Sequence, residues 1–181
     1  MTRRLSLLLV AAAVLGTGCG GDDEDRASSR LQQPPAHLRV SSPAFINGAR
    51  LQEKYTCDGA GEQPVLSVGA SPVGTSELVL IVSDPDAAGG TFVHLTRYGL
   101  SPGGSGAVND GGVEGRNSAG KVGWTPPCPP AGSGTHRYTW NVYALRDKSG
   151  LAAGADPAAV RAAVSDPLAS GSITAIYARQ G

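Results

Sequence analysis

The sequence predicts a mainly β fold, an antiparallel β-sandwich with one or two peripheral helices near the C-terminus, and three observations point to it. Gly 26 and Pro 13 in 181 residues are too many for a helical bundle and suit strands joined by turns. Four short apolar or alternating stretches, at 77–83, 91–100, 136–145 and 172–178, carry strand signals. Strand and helix signals do not alternate along the chain, which argues against a parallel α/β sheet. A mass of 18.3 kDa leaves room for one domain with a proper core and not for two comfortable ones. With one Met, at position 1, and two Phe, that core must come from Val, Leu, Ile, Ala, Tyr and Trp.

The first 18 residues stand apart from the fold. Arg3 and Arg4 precede the apolar run Leu5 to Leu15, and Gly16-Thr17-Gly18-Cys19 follows, the layout of an export signal. Eleven helical residues span about 16 Å, roughly half a hydrocarbon core, too little for a permanent transmembrane helix. The cysteine after small residues resembles the bacterial lipoprotein box, although Leu15 lies one place further upstream than the commonest pattern has it. On that reading cleavage leaves Cys19 as a lipidated N-terminus; the alternative is an ordinary secretory signal with Cys19 incidental. Arg3-Arg4 hints at twin-arginine export, but Ser6 stands where that signal prefers a bulky apolar residue. Residues 19–38, with Asp22, Asp23, Glu24, Asp25 and Pro34-Pro35, have almost nothing to bury and read as a solvated tether. The domain is assigned to 39–181. If Cys19 is lipidated, Cys57 and Cys128 remain. In an oxidising compartment they either pair, contributing roughly 3–4 kcal/mol, or stay as buried thiols.

Within the domain, Glu77 to Ser83 is an apolar run suited to a strand buried on both faces. In Thr91 to Leu100, strict alternation puts Phe92, His94, Thr96 and Tyr98 on one face and Val93, Leu95 and Arg97 on the other. His136 to Leu145 places His136, Tyr138, Trp140 and Val142 together, and Ser172 to Ala178 is the last strand. One helix is signalled over Ala158 to Val164, with Asp156 placed to cap it and Pro157 at the first helical position.

Charge excludes one class of function. Lys+Arg and Asp+Glu are 15 each, and without Arg3 and Arg4 the balance is 13 against 15. No basic cluster exists to neutralise phosphates along a nucleic acid. Gly115-Arg-Asn-Ser-Ala-Gly120-Lys121 imitates a nucleotide phosphate loop. It fails because Val122 replaces the Ser or Thr that holds magnesium, and the prolines from Pro126 forbid the required helix. No G-x-S-x-G, H-E-x-x-H or C-x-x-C occurs, so neither a metal nor a cofactor is expected.

What remains is a scattered polar set. Asp84 and Asp86 close the first strong strand, His94 lies mid-strand soon after, and His136 and Tyr138 open the later one. The stretches Tyr55-Thr-Cys-Asp-Gly59, Asp84-Pro-Asp-Ala87, Phe92-Val-His94, Pro127-Cys-Pro-Pro130 and His136-Arg-Tyr138 occur in that order. Together they resemble the phosphatidylethanolamine-binding protein family, more narrowly its bacterial Raf-kinase-inhibitor-like branch, over nearly the whole domain. The resemblance implies a β-sandwich with a small anion pocket at one end. In it, Asp84, His94, His136 and Tyr138 face the ligand, Asp86 supports the turn, and Pro130 forms a wall. An imidazolium and a phenol would donate to a phosphate-like or phospholipid headgroup anion, and a carboxylate would accept from an ammonium.

Several positions depart from the family pattern. Ala88 stands where Pro is usual after D-P-D-A, which argues against a cis peptide there. Phe92, Leu95 and Val68 stand where Trp is habitual, and Thr125-Pro126 replace glycines, so Pro126 removes one backbone donor. Three functions follow. The favoured one is a non-enzymatic, lipid-anchored, extracytoplasmic module that binds a small anion or phospholipid headgroup. The second is a protein-interaction or protease-inhibitor module acting on an envelope partner, with the loop Ser101 to Gly120 as its surface. The third is a hydrolase with Asp84 or His136 as base and His94 as electrophile, in which an unpaired Cys128 would be the nucleophile.

Overall fold

A computed structural model describes residues 36–103, 106–108 and 111–180. The export signal, Cys19 and the acidic stretch lie outside the described residues, as do parts of the 101–120 loop. Nine strands are described: β1 (Ala36–His37), β2 (Val40–Ser41), β3 (Ser67–Val68), β4 (Glu77–Asp84), β5 (Phe92–Leu100), β6 (Gly106–Ala107), β7 (Val113–Glu114), β8 (His136–Leu145) and β9 (Ala169–Tyr177). The helix α1 spans Pro157–Ala163, and a single 3₁₀ turn occupies Glu53–Tyr55.

A six-stranded sheet runs in the order β1-β9-β8-β4-β5-β7 and a three-stranded sheet in the order β2-β3-β6. The large sheet is antiparallel except that β1 runs parallel to β9, so the architecture is mixed. The second layer is slight, since β2, β3 and β6 are two residues each. One face of the large sheet packs Leu80, Val82, Leu95, Tyr138, Trp140 and Val142 against Leu38, Leu51 and Leu66. The other packs Val79, Ile81, Val93 and Tyr98 against Val160 and Val164 of the α1 region. The apolar run of β4 is therefore explained: its alternate residues feed two separate cores. Ala36 to Leu38, which the sequence assigns to the tether, belong to this body, with Leu38 at 1 % exposure and its N–H bonded to Ser170 O.

Two expectations change. Asp156 sits at the N-cap position of α1 but its side chain makes no capping bond; it lies 3.7 Å from Arg116 instead. Strict alternation also fails in β5. Ser83 pairs with Val93 but Val82 pairs with Leu95, leaving His94 as the extra residue of a β-bulge. The bulge keeps Phe92 and His94 on one side and returns Leu95 to that same side, while Val93 and Tyr98 share the opposite core. A bulge re-aims a side chain in this way. A second register shift separates the pairs Leu80↔Arg97 and Leu78↔Leu100, where Gly99 takes φ +71°.

Neither flank of the large sheet is bare. Beyond β1, the outer edge of β9 bonds to the 47–51 segment through Gly48 N–H to Thr174 O, Leu51 N–H to Ile176 O and Ile176 N–H to Ala49 O. The outer edge of β5 is covered by β7 and by Gly115 N–H to Thr96 O and Ser118 N–H to Val93 O. The Gly115–Lys121 segment is thus an edge cover: the Gly115 and Ser118 amides serve the sheet, and the rest are bonded to Ala155 or within the segment.

Candidate functional site

The end of β4, the bulge of β5 and the start of β8 meet at a cavity of about 240 Å³. Asp84 and Tyr138 share a face because Ser83 pairs with Thr139 and Val82 with Trp140 in the antiparallel β4·β8 ladder; His94 is on the same side because Asp84 pairs with Phe92, two residues before it. Asp84, His94, Pro130, His136 and Tyr138 all line the cavity, with Phe92, Thr125, Pro126, Cys128 and Pro129 among its walls. Asp86 is not among the lining residues. Its carboxylate accepts from Arg137 Nε at 2.8 Å, Arg137 Nη2 at 2.6 Å and the Arg137 backbone N–H at 2.8 Å. These bonds, side chain first, hold its pKa down at about 2. Asp86 is a positioning residue: it pins the turn to β8, and its own N–H donates to Asp84 Oδ1 at 2.8 Å.

Asp84 Oδ2 accepts from His136 Nδ1 at 2.7 Å, which fixes that ring's proton on Nδ1 in its neutral form. His136 Nε2 then meets Ser133 Oγ at 3.1 Å. Ser, His and Asp stand in the order of an acyl-transfer relay, a serine no motif announced. The row ends outside the cavity, however, because Ser133 is solvent-exposed and absent from the lining.

His94 is organised differently. Its Nδ1 lies 2.8 Å from the carbonyl oxygen of Thr125, and a carbonyl only accepts, so Nδ1 carries the proton. Nε2 of the neutral ring is then a lone pair, buried without a partner. Burial lowers the His94 pKa, against the weaker opposing pull of the Thr125 carbonyl and the Asp84 charge. The expected imidazolium donor is thus, in the unliganded site, an acceptor. Tyr138 supplies the complement. Its ring is fully buried, its hydroxyl makes no hydrogen bond of proper geometry although Asp84 is close by, and burial first, then the Asp84 charge, pushes the phenol far above the ordinary tyrosine range. It is a neutral donor at every physiological pH.

The wall that holds His94 depends on Asn117, which sequence reasoning missed. Asn117, 3 % exposed, donates through Nδ2 to Gly123 O at 2.9 Å and Thr125 Oγ1 at 2.8 Å. Its Oδ1 accepts from Ala119 N–H and Lys121 N–H. Thr125 N–H in turn donates to His94 O. The neighbouring Trp124 is outside the cavity lining and donates through Nε1 to Gly61 O at 2.9 Å. On the far wall Cys128 is disulfide-bonded to Cys57, which removes it as a nucleophile. Among the described residues no group of His, Cys, Asp or Glu could hold a metal ion, and no helix is long and apolar enough to cross a membrane.

Comparison with known proteins converges on one description. The family model for phosphatidylethanolamine-binding proteins matches residues 41–178. LppC of Mycobacterium tuberculosis, whose name describes a lipoprotein, is 39 % identical over 155 residues, covering 76 % of each chain. A phosphatidylethanolamine-binding protein homologue of Chlamydia trachomatis superposes with a TM-score of 0.71 at 32 % identity, covering 80 % of this chain and 99 % of its own. YbcL of Escherichia coli, a member of the mammalian family, gives 0.72 at 26 % identity, covering 80 % of this chain and all of its own.

Proposed function

The chain belongs to the phosphatidylethanolamine-binding protein family, and from that premise we propose that it acts by binding a phosphate-like or phospholipid headgroup anion in the Asp84–His94–His136–Tyr138 cavity. We place that domain at the outer face of the cell membrane, held by a lipid on Cys19. The lipoprotein name of the mycobacterial relative supports the anchor, as do the short apolar run and the small residues ahead of Cys19.

One observation carries the binding reading: polar side chains from three strands converge on one cavity, and two of their polar atoms, His94 Nε2 and Tyr138 Oη, make no hydrogen bond of proper geometry within the protein. Buried polar atoms cost free energy unless hydrogen-bonded. Thr96 Oγ1 and Trp140 Nε1 are orphaned too, so lacking a partner is not enough; what separates the first two is that their residues line a hollow into which a ligand can bring the missing bonds. The carboxylate of Asp84 can additionally accept from an ammonium group.

The test is a side-chain nitrogen NMR titration of the full chain with O-phosphorylethanolamine and, separately, inorganic phosphate. The His94 and His136 resonances move saturably with at least one ligand. Resonances that stay fixed at millimolar ligand would end the proposal.

A further inference from the structure

We infer that the cavity is built for a phosphate monoester carrying one proton: an anionic oxygen accepts from the Tyr138 hydroxyl, and the P–O–H donates to His94 Nε2. The inference rests on the binding reading and narrows it from any anion to a ligand with both a donor and an acceptor.

The geometry sets the requirement. Thr125 O takes the Nδ1 proton of His94 and burial favours the neutral ring, so its other nitrogen is a lone pair. Tyr138 offers a hydroxyl hydrogen. The charged and titratable groups around them come from each neighbouring element. Asp84 of β4 and His136 of β8 line the cavity, while the 124–126 wall contributes only the neutral Thr125 and Pro126. Asp86 is neutralised by Arg137 outside the lining, and Tyr177 of β9 is bonded to Asp58. No lysine or arginine occurs among the described lining residues. A doubly charged phosphate would therefore face Asp84 and a nitrogen lone pair with no cation to offset them. A singly charged one relieves the repulsion and turns the lone pair into a bond.

This chemistry separates ligands that an electrostatic pocket would treat alike. Sulfate has the size and shape of phosphate but no proton at neutral pH. A phosphodiester, the form found in an intact phospholipid headgroup, has one negative charge and also no P–O–H. Either would leave Nε2 unpaired in a buried site. A site built to bond a donor rejects analogues that lack it, because its own polar group is stranded. A free monoester, whose second proton leaves near pH 6, can supply both partners by taking up a proton as it binds.

Calorimetry on the full chain tests this with four probes: O-phosphorylethanolamine, inorganic phosphate, sulfate and glycerophosphoethanolamine. Between pH 7 and pH 8 the affinity for O-phosphorylethanolamine falls about tenfold. Paired buffers of different ionisation enthalpy report close to one proton taken up per ligand, because the bound form holds a proton that the free ligand has largely lost. Sulfate and the diester bind at least about tenfold more weakly. Tyr138→Phe, which removes one oxygen, weakens the monoester by a similar factor. His94→Asn keeps a donor for Thr125 O but has nothing at Nε2, so it loses the preference for monoester over sulfate. A diester or sulfate that binds as tightly as the monoester, or a monoester that binds at pH 8 without proton uptake, overturns the inference while leaving the binding reading intact. If none of the four binds, both fall.

Discussion

Asn117 holds the site together without facing it. Its amide bonds both ends of the Gly123–Thr125 stretch, and Thr125 then sets the His94 tautomer. Replacing Asn117 by Ala strands these buried partners and should cost about 2–3 kcal/mol, read from the denaturant midpoint. In a variant that still folds at low temperature, the His94 side-chain nitrogen signals should lose the single-tautomer pattern; a fixed Nδ1–H pattern would show that Thr125 needs no such support. Asn117 was invisible in the sequence because it lies inside the stretch imitating a phosphate loop, where Asn is an ordinary turn residue. Asp84, His94, His136 and Tyr138 were legible because residue types with strong chemistry stand inside short, ordered motifs. The direction of the hydrogen bonds was not: whether His94 gives or accepts depends on a carbonyl 31 positions away in sequence.

At the scale of elements, sequence patterning located β4, β5, β8 and β9 to within a few residues, since alternation and apolar runs follow directly from which faces are buried. It missed the β-bulge, because one inserted residue leaves composition unchanged and shifts only the register. It also missed β1 and the two-residue strands of the small sheet, which are too short to carry a period. The contact between the β1–β2 stretch and β9 is set by Gly171: a Cβ there would lie 2.0 Å from Leu38 O. Gly171→Ala must push Leu38 away from a position where it is 1 % exposed. The expected cost is about 1–3 kcal/mol, measured by thermal or urea unfolding. A variant as stable as the parent would mean that the Leu38 segment yields freely.

For the whole molecule, the Cys57–Cys128 bond joins positions 71 apart. It ties the turn after the 3₁₀ segment to the proline-rich wall of the cavity, a link reinforced by Cys57 N–H to Pro127 O at 3.0 Å. Closing so long a loop restricts the unfolded chain. The double change Cys57→Ala, Cys128→Ala should therefore lower stability by about 3–4 kcal/mol, seen as a drop in urea midpoint that dithiothreitol reproduces in the parent. A midpoint indifferent to both treatments would count against a bonded pair in the mature protein. Cysteine arithmetic alone left both pairing and free thiols open, because nothing in the spacing says that two remote loops meet.

The covered flanks of the large sheet have a further consequence. Polymerisation through β-sheets starts where a row of backbone amides stands idle and a passing segment can zip onto it. Here the rims end in β1 and β7, two residues apiece, and the longer strands behind them are occupied by their own loops. Along the described edges of the large sheet, a second copy would therefore meet only two-residue strands and loops already bonded to the strands behind them.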